Sequence, residues 1–397
     1  MILLLGDWVP EQNPASIEIN TLNEFILMNL EGPVLPDTSG YVPINKVGPH
    51  LFSTNLPAIN DAAVVSFSLA NNHINDYGWP GIQTTQKLIK ERNYHQVGVG
   101  ENEYLAREPL MVNAHGYRYA IISTGETQAG HATPAKPGYS TIGPWIFKSI
   151  SDLRTKVDKI IISVHGGNEF VPWPSPFIQD LYHSYIDAGA DIIHGHHSHI
   201  PQGVERYKHG LICYGLGNFM GSPARYTHPE TQLSLGVRIT SFSNQVDYQI
   251  ETYCFQQRDD CVAVSKSEND QIKSYLAIIH EPLSNRALLE AVWQEVALWL
   301  YDKYGRDSIT LPYTTEKRYF GDFKQRLKSI GRRMSRRFTL TMPKVRQNQI
   351  LWYHIFACMS HKNMMETALG LLCGEITDVR NQQAREMVAE YLPKFLG

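Results

Sequence analysis

Short apolar runs recur along the first 220 residues, and each ends in a side chain able to bind a metal or move a proton. Ile2 to Leu5 is followed by Gly6-Asp7, and Phe25-Ile26-Leu27-Met28 by Asn29-Leu30-Glu31. Val64 to Leu69 leads into Ala70-Asn71-Asn72-His73, and Lys159 to Val164 into His165-Gly166-Gly167-Asn168-Glu169. Ile192-Ile193 precedes His194-Gly195-His196-His197-Ser198-His199, and Leu211 to Leu216 precedes Gly217-Asn218-Phe219. Unbroken apolar runs of this length read as strands covered on both faces, the kind that build parallel sheets. Helical patterns lie between them, from about Trp79 to Arg92 with Pro80 in the first turn, and from Phe177 to Ala188. Leu110 to Thr124, interrupted by His115-Gly116, predicts a hairpin, and the alternation from Gln232 to Phe255 predicts added antiparallel strands. The order predicts an α/β fold whose ligand-type residues gather at the carboxyl edge of a sheet, where open α/β folds place their sites.

After about residue 265 the pattern turns helical, which divides the chain into a region 1–265 and a C-terminal region 266–397. Ile272 to Tyr304 carries Trp293, Val296, Leu300 and Tyr304 at helical spacing, an expected packing stripe. Leu351 to Leu396 is again helical, with Leu369, Leu371 and Leu372 among its apolar positions. Between Lys317 and Arg346 stand eleven Lys or Arg and a single acid, Asp322. Phe320, Phe323, Leu327, Ile330, Met334 and Phe338 interleave with these cations every three or four residues, the pattern of a basic amphipathic helix. Such a helix suits anionic lipid; an acidic polymer, nucleic acid or plain packing on the main domain are the competing readings.

At 397 residues the chain exceeds what one core usually fills, in line with a large domain and a smaller one. Its 43% hydrophobic and 19% charged content is that of a globular protein. A net charge of -3 makes no global case for nucleic acid. Cys213, Cys254, Cys261, Cys358 and Cys373 are odd in number and lack CxxC spacing, so neither a disulfide framework nor a thiolate zinc site is expected. The stretch Met1-Ile2-Leu3-Leu4-Leu5 has no basic flank and is too short for a signal peptide. No later run approaches the roughly 18 apolar residues of a membrane span, so a cytoplasmic or peripheral location is expected.

Four histidines within six positions, 194 to 199, would be a polar loop bonded to itself if they stood alone. Beside the other strand ends they complete the inventory of a two-metal hydrolytic site: Asp7, Glu31, Asn72, His165, His197 and His199. The H-x-H spacing is expected to put His197 and His199 on one side of an extended segment. His196 is a reserve ligand that otherwise faces away or supports a neighbour, and His194 packs or orients one. His73, next to Asn72, is placed as general acid or transition-state stabiliser. Imidazole and carboxylate together are compatible with one or two divalent ions of Mn, Fe or Zn.

These motifs, in this order and spacing over about residues 1–220, resemble the CapA family of capsule and poly-γ-glutamate biosynthesis proteins, within the calcineurin-like metallophosphoesterase superfamily. Asp76-Tyr77-Gly78 and Asp187-Ala188-Gly189-Ala190-Asp191 belong to the same match. The resemblance implies a four-layer α-β-β-α sandwich with a dinuclear centre. It matches Asp7 and Glu31 to the first two acidic ligands, Asn72 and His73 to the Asn-His pair, His165 to the lone His, and His197 with His199 to the closing pair. The chain departs from the pattern at Val9, where the first motif usually has its histidine, and at Glu31, where Asp is usual. Gly166 replaces an aromatic and Ser198 a proline, and the usual N-terminal anchor is not seen.

Asp76 is expected either to orient His73 or to cap the following helix. Glu169 is expected to support His165 or touch substrate, and Asn218 to serve a ligand or a turn. Lys46 and Arg225 read as solvated charges on loops. The resulting expectation is a metal-dependent hydrolase using metal-activated water on a phosphoester or amide, acting on an anionic polymer or phosphorylated substrate. A non-catalytic accessory protein of a polymer synthesis or export complex is the alternative. A nucleotidase would need a base-stacking pocket that the residues do not reveal.

Overall fold

The computed structural model describes residues 1–9, 15–59, 62, 64–242, 246–258, 261–267, 270–305 and 343–396. The first half runs β1 (Ile2–Trp8), β2 (Ala15–Glu18), β3 (Phe25–Leu30), β4 (Val64–Ser68), α1 (Gly78–Glu91), β5 (His95–Val97) and β6 (Val99–Gly100). It continues through α2 (Glu103–Ala106), β7 (Leu110–Ala114), β8 (Tyr117–Gly125), β9 (Gly138–Tyr139), α3 (Trp145–Leu153), β10 (Lys159–His165) and α4 (Pro176–Asp187). Then come β11 (Ile192–His196), β12 (Pro201–Tyr207), β13 (Gly210–Leu216), β14 (Asn218–Met220), β15 (Leu233–Ser241), β16 (Asp247–Arg258) and β17 (Cys261–Lys266). Helices close the chain: α5 (Asp270–Ser284), α6 (Arg286–Leu300), α7 (Pro343–Ala357), α8 (Met359–Cys373) and α9 (Gln382–Leu396).

Two mixed sheets stack face to face. One is ordered β2-β17-β16-β15-β1-β3-β4-β5, with β14 also paired to β1; the other is β12-β13-β11-β10-β8-β7. The centres of both are parallel, β1 with β3 and β4, and β8, β10, β11 and β13 together. Alternate residues of each central strand enter different cores, which is why the runs are apolar throughout. Ile2, Leu4, Phe25 and Leu27 meet Ile121, Ile161, Ile192 and Leu211 between the sheets. Leu3, Leu5, Ile26 and Met28 face outward onto Ile82 and Ile89 of α1. Ile160, Ile162 and Ile193 face outward onto Ile146 and Ile150 of α3 and Tyr182 and Ile186 of α4. The layers are therefore helix, sheet, sheet, helix, an α/β sandwich.

Local chemistry explains the element ends. Ser175 accepts the Ile178 N–H to start α4 with Pro176 in the first turn. His115 and Gly116, both at positive φ, make the two-residue turn of the β7–β8 hairpin. The predicted long helix from Ile272 breaks at Asn285, which leaves α5 and caps α6 by accepting the Leu288 N–H. Trp293, Val296 and Leu300 are buried as expected, whereas Tyr304 is 50% exposed. The Leu-rich stretch of α8 is also turned: Leu369 and Leu372 are exposed, and Met364, Met365 and Ala368 form the buried stripe. Leu369, Leu371 and Leu372 cannot all face one side of a helix, so packing selects among the apolar positions. Gly374, at φ 80°, ends that helix in the left-handed conformation. Among the described residues no helix is long and apolar enough to cross a membrane. Residues 317–342 of the basic segment lie outside the described residues, and 343–346 open α7.

Candidate metal centre

The carboxyl ends of β1, β3, β4, β10 and β11 converge on one rim and bring every sequence-predicted metal ligand there. Asp7 and Glu31 are 0–1% exposed, and His165, His196, His197 and His199 are all buried. Asp7, His165 and His196 form one group whose ligand atoms lie within 4.8 Å of each other; Glu31, His197 and His199 form another. Contacts link the groups: His199 Nδ1 is 3.8 Å from Asp7 Oδ2, and His165 Nε2 is 3.6 Å from Glu31 Oε1. Asn72 Oδ1 lies 2.9 Å from His165 Nε2. Close approach at the rim depends on Gly6, where a Cβ would fall 1.9 Å from the Gly217 carbonyl oxygen.

The closing pair is aligned differently from the extended geometry its spacing predicts. β11 ends at His196, and His197 (φ 97°) and His199 (φ 58°) lie in the left-handed region. Two non-glycine residues there are costly and persist where the surroundings impose them, as at functional sites. The bent loop, not strand alternation, puts both imidazoles inward.

His196 does not face away; a chain of hydrogen bonds presents its Nδ1 to the site. The Leu5 carbonyl can only accept, so His194 donates from Nε2 at 2.8 Å, and its Nδ1 is an acceptor. Ser163 Oγ then donates to that Nδ1 at 2.9 Å and accepts from His196 Nε2 at 3.0 Å. The lone pair of His196 is left on Nδ1, 2.8 Å from His165 Nδ1 and 3.8 Å from Asp7 Oδ1. Asn218 performs the same service for His199. Its amide donates to the Thr231 carbonyl, so its oxygen accepts from His199 Nδ1 at 2.9 Å and leaves Nε2 free, 3.7 Å from Glu31. Asn29 anchors the first ligand by donating to Asp7 Oδ1 at 2.8 Å.

Burial opposes charge on both acids and on His165, His196 and His197. Desolvation, then the Glu31 charge, raises the Asp7 carboxyl to about 8, and desolvation also drives Glu31 upward. Desolvation drives His165 and His196 well below the usual imidazole range, and takes His194 and His197 down to about 4. Both Glu31 carboxylate oxygens and His197 Nδ1 are buried with no hydrogen-bond partner among the described residues. Buried polar atoms without partners are costly, and lone pairs aimed at one another fit a site built to surround cations.

Beside the cluster, Asp76 accepts from His73 Nδ1 at 2.7 Å, from the Leu51 N–H at 2.7 Å, and from Lys46. It therefore orients His73, while the N-cap of α1 is Tyr77, with no side-chain cap. Lys46, expected as a surface charge, is 5% exposed in this pair and also donates to the Asn72 carbonyl. Asn71 secures the same loop by accepting from the His73 and Ile74 amides. Glu169, with its side chain 45% exposed, stands 3.9 Å from His197 Nε2 rather than against His165. His73 and Glu169 line two cavities, one of about 390 Å³ that also includes Arg225 and His199, the other of about 540 Å³ reaching the C-terminal helices.

Several groups escaped the sequence reading. Ser163 and Asn29 sit on strands already recognised, and only their partners reveal their roles. Glu126 directly follows β8, the same strand-end position as the candidate ligands, masked by reading that strand as half a hairpin. His354 and His361, 4.5 Å apart between ring centroids, reach the larger cavity from helices with no ligand spacing.

The sequence pattern of the family described as "Bacterial capsule synthesis protein PGA_cap" matches residues 15–222, more than half of the chain. The chain belongs to that family. A capsule biosynthesis protein CapA of Bacillus anthracis is 36% identical over 208 residues, covering 50% of each chain. A probable polyglutamine synthesis accessory protein of Mycobacterium tuberculosis is 29% identical over 227 residues, covering 53% of this chain and 60% of that one. The chain thus spans about half the length of the curated relatives it matches. Among solved structures, a 5'-nucleotidase precursor of Thermus thermophilus aligns at a TM-score of 0.33 with 15% identity, over 72% of this chain and 59% of that one. The PGA_cap match ends just after Asn218, so α5 to α9 lie beyond it.

Proposed function

We propose that the chain is a metal-dependent hydrolase in the synthesis or processing of a capsule or poly-γ-glutamate-like polymer, cleaving a phosphoester or amide bond. One observation carries the reading: two buried groups, each a carboxylate with two imidazoles, meet at a common rim. In it Asp7, His165 and His196 hold one divalent ion, Mn, Fe or Zn, and Glu31, His197 and His199 the second, with Asn72 adding an amide oxygen. His196 then supplies the nitrogen that Val9 cannot. Bound there, the ions lower the pKa of water and neutralise the attacked anionic oxygens.

The chain's own groups do the rest. His73 commits Nδ1–H to Asp76, which leaves Nε2 to exchange a proton with the reacting group. Desolvation, the larger effect, lowers its pKa, and the Asp76 hydrogen bond opposes that. Glu169 and Arg225, at the mouth, contact the substrate. The names of the Bacillus and mycobacterial relatives support the polymer context, and an anionic polymer end or phosphorylated precursor suits the mouth. Lipid contact through 317–346 is a separate part of the proposal and rests on sequence alone.

The test pairs metal analysis of the purified protein with a phosphodiester and γ-glutamyl substrate screen. Two equivalents of Mn, Fe or Zn are expected, with turnover falling about 10²–10⁴-fold in His73→Ala. Turnover unchanged in His73→Ala overturns the mechanism. The mycobacterial relative is named a probable accessory protein, which favours a second reading, a non-catalytic member of a synthesis or export complex. That reading predicts metal without turnover of any substrate.

A further inference from the structure

The larger cavity has two unlike walls. On one side stand Asn72, His73 and Glu169 of the metal rim, with Lys46 behind them. On the other stand Leu300 of α6, Leu351 and Ile355 of α7, and Met364 and Met365 of α8, a mainly apolar wall that His354 and His361 of the same helices interrupt. The apolar wall is held in place by a buried group. Glu126 accepts from the Gly167 N–H at 2.9 Å on the β10 ligand loop, and from the Ser360 N–H at 3.0 Å and the Cys358 thiol at 2.6 Å at the start of α8. The Ser360 hydroxyl donates to it as well. Gly166 admits this carboxylate, since a Cβ there would lie 3.0 Å from Glu126 Oε1. One carboxylate thus ties the C-terminal helices to the loop that follows His165.

We propose that the substrate is an amphiphilic anion, its charged head at the metal rim and an apolar chain or ring of several carbons under α7 and α8. The inference rests on the hydrolase reading for the head and on the cavity for the tail. A volume of about 540 Å³ is within the usual range for one small molecule. Unbranched side chains such as the two methionines adapt to flexible apolar ligands. The C-terminal helices are, in this account, the element that selects the substrate.

Calorimetric titration of the full chain with ethyl, butyl and hexyl phosphate, with and without Mn, tests it. In the unmodified protein Kd should fall about fourfold for each added methylene. In Leu351→Gln and Ile355→Gln, both only half-buried, the gain should drop to about twofold or less. The slope compares ligands within one protein, so a change in the amount of folded protein cancels. A Kd independent of chain length, a slope unaltered in both variants, or no binding across the series overturns the inference. Chain-length-dependent binding with no turnover of any phosphoester or γ-glutamyl substrate would leave it standing and remove the hydrolase reading instead. Turnover with flat binding does the reverse.

Discussion

At the scale of single residues, the centre depends on proton placement as much as on ligand identity. An imidazole can bind a cation only through its unprotonated nitrogen, and at His196 that nitrogen is chosen three groups away, at the Leu5 carbonyl. Ser163→Ala removes the hydroxyl that accepts from His196 Nε2 and leaves the imidazole free to adopt the other tautomer. The expected loss of metal affinity is about 10–100-fold, read by competition with a chromophoric chelator. Ser163→Thr, which restores a hydroxyl and suits a strand, should recover most of it. Equal affinities for all three proteins would refute the relay. Asn218→Ala should act in the same way on His199, and Asn218 shows why such residues are hard to read in sequence. An Asn after a strand is as often a turn residue as a ligand holder, and only its fixed donation to Thr231 decides between them.

At the scale of elements, the strands were legible because burial on both faces leaves a continuous apolar run, and the candidate ligands because they follow those runs. β1, β3, β4, β10 and β11 each present their predicted residue at the shared rim. What the pattern could not convey is contact across the chain. Lys46 reads as a loop charge until Asp76 is seen beside it, and Glu126 is joined to Ser360, 234 positions away. Glu126→Ala would strand several buried donors, each worth roughly 1–3 kcal/mol. The expected result is faster amide exchange in α8 and in the loop after β10 together, with α3 unaffected; exchange confined to one of them would break the proposed link. A second strut can be followed by pH. Arg238 on β15 bonds Glu24 before β3 and, at 2.9 Å, Glu251 on β16. Burial raises Glu251, but hydrogen bonds from Tyr253 and Arg238 prevail and hold it below the usual carboxylate range. An acid with a lowered folded-state pKa adds stability above its unfolded value and loses it as pH falls through the folded one. The urea midpoints of the unmodified protein and Glu251→Gln should therefore differ at pH 7 and converge in acid below the usual Glu range. A gap that persists there would exclude the ionised form as its cause.

For the whole molecule, the centre joins the two sheets, so its occupancy bears on stability as well as on chemistry. Asp7 and Glu31 come from one sheet, and His165 and His196 with the loop of His197 and His199 from the other. Without cations, two carboxylates and four imidazoles share a dry space in which desolvation raises both acids and lowers His165, His196 and His197. Each such shift records a cost of holding charge there, and a divalent ion offsets it by supplying the missing positive charge to both sheets at once. A ligand that binds only the folded state stabilises it by about 2.7 kcal/mol at one hundred times its Kd. In a chain this long that corresponds to a rise in Tm of roughly 3 °C. Addition of Mn or Zn to chelator-stripped protein should produce a shift of that order, growing with concentration, and a chelator should reverse it. Asp7→Asn should shrink the shift, because it weakens one group and leaves Glu31, His197 and His199 intact. A double change of Asp7→Asn with Glu31→Gln should abolish the shift while raising the Tm of the metal-free protein, because the cost of burying two acids whose ionised form is disfavoured there is gone. If the metal-free double variant melts lower than the metal-free unmodified protein, these carboxylates stabilise the fold through contacts of their own and the two-sheet metal bridge is not what the cluster is for.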